Sequence, residues 1–220
     1  MKLWNLLHGV PLTGEHFTED MEISSLSYDT RTLEPGALFV ALPGARTDGA
    51  RFIREALEKG AAAVLCETPP EGEGPWLATP DARRALALVS ANWFGHPARE
   101  LTLVGVTGTN GKTTTTCLIK DLLERVLGTK AGLIGTIENQ IGSLRLPAHR
   151  TTPESYEVQQ LLRQMADAGC THVVMEVSSH ALVQHRVEGL TFAAGVFTNL
   201  TQDHLDYHHT MEEYRDAKGL

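Results

Sequence analysis

The sequence predicts an α/β protein. A small N-terminal α/β domain is followed by a P-loop-type, mostly parallel sheet with helices on both faces. Three observations predict it. Short apolar runs rich in β-branched residues alternate with helical patterns. A glycine loop ending in Lys-Thr, GVTGTNGKTTTT at residues 105–116, lies between one such run and a helix. Finally, residues 95–100, GHPARE, hold a Gly and a Pro that stop a helix and read as a linker. The domains are therefore expected at residues 1–97 and 98–220.

In the first domain, residues 37–42 read as a strand and residues 50–59 as a helix stopped by Gly60. Residues 61–66 form a second apolar strand, and residues 68–75, rich in Pro, Gly and Glu, a loop. Asp81 suits the N-cap of a helix running to about residue 94. In the second domain, strand 101–106 leads through the glycine loop into helix 112–127, and strand 130–135 follows. Residues 138–146 fit a short hairpin around Ile141-Gly142. Thr152-Pro153 caps and starts a helix that reaches Ala168. Strands 172–177 and 192–199 and a helix beginning at residue 211 complete the alternation. The helical pattern at the C-terminal end carries no stop signal, so the chain is expected to be the front part of a longer protein.

Composition narrows the partners. A net charge of −8 argues against a nucleic-acid or anionic-membrane surface, so an anionic ligand would need a local basic pocket. No apolar run approaches the ~18 residues of a membrane helix, and His8, Gly9 and Pro11 interrupt the N-terminus too early for a signal peptide. Cys66, Cys117 and Cys170 are odd in number and far apart, which implies neither a disulfide framework nor a metal pair. They read as reduced, mostly buried thiols of a cytoplasmic protein.

The glycine loop has the layout of a phosphate cradle. Gly108 and Gly111 let the backbone turn and bring its N–H groups near an anion, with Thr109 and Asn110 between them. The helix that follows, opening on Lys112, Thr113 and Thr114, points its positive end at the same anion. Lys112 would neutralise β/γ-phosphates, and the Thr113 hydroxyl is a Mg²⁺ ligand by type. The loop departs from the standard G-x-x-x-x-G-K-[ST] pattern, because Val106 stands where that pattern has glycine.

Ligands of parallel sheets bind at the carboxyl ends of strands. That rule gives weight to three more segments: EVSSH at 176–180, NLTQDHLDY at 199–207, and HRTTPE at 149–154. Glu176 ends an apolar strand, where a carboxylate is costly unless paired or metal-bound. Ser178, Ser179 and His180 invite a nucleophile reading, but no G-x-S-x-G elbow is present and positioning of a substrate fits better. Asp203, His204, Asp206, His208 and His209 have the side chains of a zinc site or of a plain surface cluster, while ATP chemistry with hard carboxylates favours Mg²⁺. Lys218, from its position alone, is an exposed helix lysine.

Together these segments resemble the Mur ligase family, which builds the bacterial cell-wall peptide. The resemblance is to its branch that adds the third residue of the peptide stem. It rests on GTNGKTT, on YDTR and PGALFVALPGARTDG at 28–49, and on HRTTPE, MEVSSHALVQHRV and TNLTQDHLDYH. It covers nearly the whole chain, and it implies an ATP-dependent amide-forming ligase of peptidoglycan synthesis, and so a part in cell shape and division. The implied acceptor is UDP-N-acetylmuramyl-L-alanyl-D-glutamate, activated as an acyl phosphate. The incoming amino acid would be diaminopimelate, lysine or ornithine. By the same resemblance, residues 1–97 bind the UDP-muramyl end, with Thr30 and Arg31 near the uridine diphosphate. Thr151, Thr152, Ser178, Gln184 and Arg186 would hold the rest of that substrate. Lys112 and Thr113 would hold ATP and Mg²⁺, Glu176 and His204 would be metal ligands, and Lys218 matches the lysine that becomes a CO₂-derived carbamate. An amino-acid-binding domain would follow, so these 220 residues alone are expected to have little or no ligase activity. The D-glutamate-adding Mur ligases, folylpolyglutamate synthetase and a non-catalytic nucleotide-binding module are the alternatives.

Overall fold

The computed structural model describes residues 1–220 except Thr18, residues 45–47 and Glu73, so part of the ARTDG motif lies outside the described residues. The chain divides into two compact units, Met1–Trp93 and Phe94–Leu220, a break a few residues before the linker position read from the sequence. Among the described residues no helix is long and apolar enough to cross a membrane.

The first unit runs α1 (Leu3–Leu6), β1 (Gly14–His16), β2 (Ser25–Ser27), β3 (Ala37–Val40), α2 (Ile53–Glu58), β4 (Ala63–Cys66), β5 (Trp76–Ala78) and α3 (Ala82–Trp93). Its sheet has the order β1-β5-β4-β3-β2, with β1 antiparallel and the other pairs parallel. Strands β3 and β4 are buried at every position, which is why both read as continuous apolar runs. Phe39, Val64, Ile53 and Ala56 form the core between this sheet and α2. The helix expected over 50–59 opens as a 3₁₀ turn, Gly49–Phe52, before α2 begins. The Asp81 carboxylate accepts the Arg84 N–H at 2.9 Å, so it is the N-cap that its position predicted.

After a 3₁₀ turn at Pro97–Glu100, the second unit holds β6 (Thr102–Thr107), α4 (Lys112–Leu127), β7 (Ala131–Ile134), β8 (Glu138–Ile141), β9 (Leu144–Pro147) and α5 (Ser155–Asp167). Next come β10 (His172–Glu176), α6 (Ser179–Val183), β11 (Phe192–Phe197), α7 (Leu205–His208) and α8 (Met211–Lys218). The sheet order is β11-β6-β10-β7-β8-β9. Its first four strands are parallel, and β8 and β9 continue it as an antiparallel hairpin whose Ile141 and Leu144 pair across Gly142-Ser143. Leu103, Ile134, Val158, Leu162, Met165 and Val173 fill the core, each such burial contributing about 1.5–3 kcal/mol.

Parallel pairing places the carboxyl ends of β6, β7, β10 and β11 along one edge of the sheet. The residues just after Thr107, Ile134, Glu176 and Phe197 therefore lie along that edge. One element starts later than its sequence suggested. Helix α5 begins at Ser155 behind an extended Glu154, not at Thr152-Pro153. The Thr152 hydroxyl donates to the Glu176 carbonyl at 2.8 Å, which commits it to the end of β10 rather than to a helix cap.

Candidate active site

The loop between β6 and α4 is braced from the far end of the chain. Thr109 N–H donates to the Asn199 carbonyl at 2.9 Å, and Asn110 N–H to Asn199 Oδ1 at 3.0 Å. Thr198 Oγ1 and Asn199 Nδ2 both donate to the Asn110 carbonyl, at 2.7 and 3.0 Å. The Thr109 hydroxyl lies 3.0 Å from Thr201 N, 3.1 Å from Thr201 O and 3.2 Å from the buried Tyr214 hydroxyl. Gly108 is required by this brace, since a Cβ there would lie 2.0 Å from Thr198 Oγ1. That is a different reason from the phosphate approach that the sequence suggested. Gly111 is different again. It caps α4 at φ +85°, a Cβ there would meet nothing within 4 Å, and no side chain caps the helix start. The first N–H groups of α4, at Lys112, Thr113 and the exposed Thr114, are therefore offered to an anion along with the helix dipole.

Two lysines converge on the loop. Lys112 Nζ donates to the Gly108 and Thr109 carbonyls, both at 2.8 Å. Lys218 Nζ donates to the Gly108 carbonyl at 2.9 Å and sits 4.5 Å from the centre of the Tyr214 ring. Lys218 is 6% exposed, which corrects its reading as a surface helix lysine. Burial lowers the Lys112 amine below its ordinary value, against the pull of Glu176 and Asp203. Burial, and then the Lys112 charge, pushes Lys218 down to about 8.

Glu176, 1% exposed, is the centre of a second network. Its Oε2 accepts from the Thr113 hydroxyl at 3.0 Å and from the Thr136 hydroxyl at 3.0 Å, and its Oε1 accepts the Thr136 N–H at 2.9 Å. Thr136 Oγ1 lies 3.0 Å from Thr151 Oγ1. A hydroxyl and a carboxylate at a helix start are hard oxygen donors, and this donor chemistry suits Mg²⁺. Next to it, Thr152 Oγ1 accepts the Ser178 N–H at 3.1 Å, and Ser178 Oγ caps α6 by accepting the Ala181 N–H at 3.2 Å. Arg186 donates to the Thr152 carbonyl at 2.9 Å and to Gln184 Oε1 at 2.7 Å, and its guanidinium lies 3.0 Å from the Glu154 carboxylate. Arg150 pairs with the same carboxylate.

His204 lies in a different cluster. Its ring meets His180 at 4.9 Å and Tyr214 at 6.0 Å between centroids, and its backbone N–H donates to Asp203 Oδ1 at 2.8 Å. His208 completes this cluster, with Nε2 at 2.8 Å from Ser179 Oγ. Burial foremost lowers both His180 and His208 below the ordinary imidazole value. Among the described residues, no three His, Cys, Asp or Glu side chains group as a metal site.

In the first unit, the Arg31 guanidinium grips Asp29 through Nε at 2.9 and 3.0 Å and otherwise stands in solvent. That bond holds the Asp29 carboxyl below its usual range. Thr30 is buried, its hydroxyl bonded to Glu55 and its carbonyl accepting from Lys59 Nζ at 2.8 Å. Arg31 is thus the accessible member of the pair.

The sequence reading passed over Thr136 and Tyr214, and it named residues 149–154 without the pairing of Glu154 with Arg186 and residues 199–207 without the bracing role of Asn199 and Thr201. Thr136 and Asn199 follow parallel strands at their carboxyl ends, so the rule that found Glu176 also points to them.

The fold and the loop define a class, an α/β protein with a phosphate-binding type of strand–loop–helix on a parallel sheet. The model of the Mur ligase middle domain matches residues 106–220, and that of the Mur ligase family catalytic domain matches residues 22–96. The chain belongs to the Mur ligase family, whose members are ATP-dependent amide-bond-forming ligases. It is 49% identical over 220 residues to a UDP-N-acetylmuramoyl-L-alanyl-D-glutamate--2,6-diaminopimelate ligase of Geobacillus thermodenitrificans, covering 100% of this chain and 45% of the relative. It is 52% identical over 201 residues to the ligase of that name from Chlorobaculum tepidum, covering 90% of this chain and 39% of the relative. A solved structure described as UDP-N-acetylmuramoyl-L-alanyl-D-glutamate--2,6-diaminopimelate ligase superposes with a TM-score of 0.75 at 32% identity, over 92% of this chain and 42% of that one. A MurF ligase of Thermotoga maritima solved with ADP shares the fold, with a TM-score of 0.61 at 24% identity over 88% of this chain and 42% of that one. The chain spans less than half the length of these relatives.

Proposed function

We propose that this chain supplies the ATP-binding loop and the acceptor-binding residues of a ligase that adds the third amino acid to UDP-N-acetylmuramyl-L-alanyl-D-glutamate. The observation that carries the reading is the hydrogen-bonded run Thr113–Glu176–Thr136–Thr151. It joins the helix behind the glycine loop to the HRTTPE segment, and this link supports a reading in which nucleotide and acceptor meet there. The relatives' names favour diaminopimelate as the amino acid over lysine or ornithine. They also favour this reading over a D-glutamate-adding ligase, folylpolyglutamate synthetase or a module that only binds nucleotide.

In this reading a free acceptor carboxylate attacks the γ-phosphorus of ATP and ADP leaves. The amine of the incoming amino acid then attacks the acyl carbon, and phosphate departs with the new amide formed. Bringing two anions together is the difficult step. Lys112 and the first N–H groups of α4 offset that charge, and the run of hydroxyls orients the acceptor. Thr113 and Glu176 would hold Mg²⁺, which supplies further neutralisation of the phosphates. His204 and Lys218 are proposed as further metal ligands. Lys218 would serve as a carbamate, formed when its neutral amine adds to CO₂ and releases a proton. That change replaces one of two neighbouring ammonium groups with an anion. Arg31 and Thr30 are proposed for the uridine end, and the cytoplasm is the proposed compartment.

The test is calorimetric titration of the full-length protein with UDP-N-acetylmuramyl-L-alanyl-D-glutamate, with UDP-N-acetylmuramyl-L-alanine as control. Preference for the dipeptide form supports the assignment. Preference for the shorter form moves it one step earlier in stem assembly, and binding of neither sinks it.

A further inference from the structure

Thr136 follows β7 and reaches both oxygens of Glu176, through its N–H to Oε1 at 2.9 Å and its hydroxyl to Oε2 at 3.0 Å. The preceding residue makes this approach possible. A Cβ on Gly135 would stand 2.6 Å from Glu176 Oε1, so the carboxylate lies flat against a stretch of bare backbone. An ionised carboxylate only accepts, and the Thr136 hydroxyl has one proton. That proton has two acceptors in reach, Glu176 Oε2 and Thr151 Oγ1, each at 3.0 Å. Thr113 gives its proton to Glu176 at 3.0 Å, which leaves its oxygen lone pairs for a cation. One residue thus holds both oxygens of the carboxylate and links it to Thr151.

We propose that Thr136 is a positioning residue that orients Glu176 for the divalent cation and Thr151 for the acceptor. The inference rests on the functional reading above and adds to it a residue that touches neither ATP nor the reacting atoms.

Thr136 is exposed, so Thr136→Val keeps its shape and its N–H bond, disturbs no packing, and removes only the hydroxyl. Thr136→Ser keeps the hydroxyl. ADP affinity of the full-length protein is measured with and without Mg²⁺, and acceptor affinity separately. The gain that Mg²⁺ confers on ADP binding should fall about tenfold in Thr136→Val, the loss of one bond to a charged group, while metal-free ADP affinity stays within about twofold. Acceptor affinity should weaken several-fold, and Thr136→Ser should restore both. A wild-type Mg²⁺ gain in Thr136→Val, or a serine variant as weak as the valine one, overturns the assignment of Thr136 alone. A wild-type protein whose ADP affinity ignores Mg²⁺ overturns the nucleotide-and-cation reading, and this inference with it.

Discussion

Lys112 and Lys218, 106 positions apart in the chain (218 minus 112), donate to one oxygen, the Gly108 carbonyl, at 2.8 and 2.9 Å. Two ammonium groups on one acceptor repel each other, and each has its amine pushed below the ordinary lysine value, by burial first. The arrangement suits a site built to receive negative charge.

The two lysines should fail in different ways. In the full-length protein, Lys112→Ala should abolish ATP turnover and leave affinity for UDP-N-acetylmuramyl-L-alanyl-D-glutamate within about twofold. Lys218→Ala should also be inactive, but small carboxylates such as acetate should restore part of its turnover if a carbamate is the working group. Steady-state rates with and without acetate decide this. Rescue of Lys112→Ala, or none of Lys218→Ala, counts against the assignment.

Gly108→Ala meets two obstacles. Its Cβ would press on Thr198 Oγ1 at 2.0 Å, and its φ of +134° is strained for any side chain. Chemical denaturation should show a loss of about 1–3 kcal/mol. Adding Thr198→Ala should recover part of the loss, because it relieves the contact and leaves the backbone strain.

Arg186→Ala should lower stability by about 1–3 kcal/mol, because it strips a largely buried guanidinium from the Thr152 carbonyl, from Gln184 and from the Glu154 carboxylate. Arg186→Lys should recover little, since an ammonium does not reproduce the planar fork. Thermal unfolding beside acceptor titration separates this structural part from any contact with substrate.

The thiols give a pH-dependent readout. Burial pushes the Cys66 thiol up to about 11, above its ordinary value of 9.0. Between those values the folded thiol keeps a proton that the unfolded one has lost. Its contribution is therefore whole below pH 9 and disappears as pH rises through 11. Cys117 is exposed on α4, whereas Cys170 is buried. At pH 8 a thiol reagent should label one cysteine in the native protein and all three after denaturation, and prompt native labelling of Cys66 would contradict its burial.

The parts legible in the sequence were those with a local pattern. β6, the glycine loop and α4 announced themselves because Gly-Lys-Thr sits between an apolar run and a helical one. Glu176 stood out as a carboxylate closing a run of buried residues. β1, β2 and β5 have three residues each, too few for alternation to register, and α6 and α7 are single turns. Thr136 is one threonine after a strand, with no neighbour to make a motif. The start of α5 was misplaced because Thr152-Pro153 has the composition of a cap, while the hydroxyl's actual partner is 24 residues away. Long-range partners of this kind leave no periodicity to read.

The brace from Thr198, Asn199 and Thr201 has a temporal consequence. The glycine turn between β6 and α4 is shaped by residues about ninety positions downstream, so it cannot take its final form until β11 has docked beside β6. Closing so long a span comes late in folding. A chain emerging from the ribosome should acquire its grip on nucleotide abruptly, once Thr201 has cleared the exit tunnel, rather than when the loop itself appears.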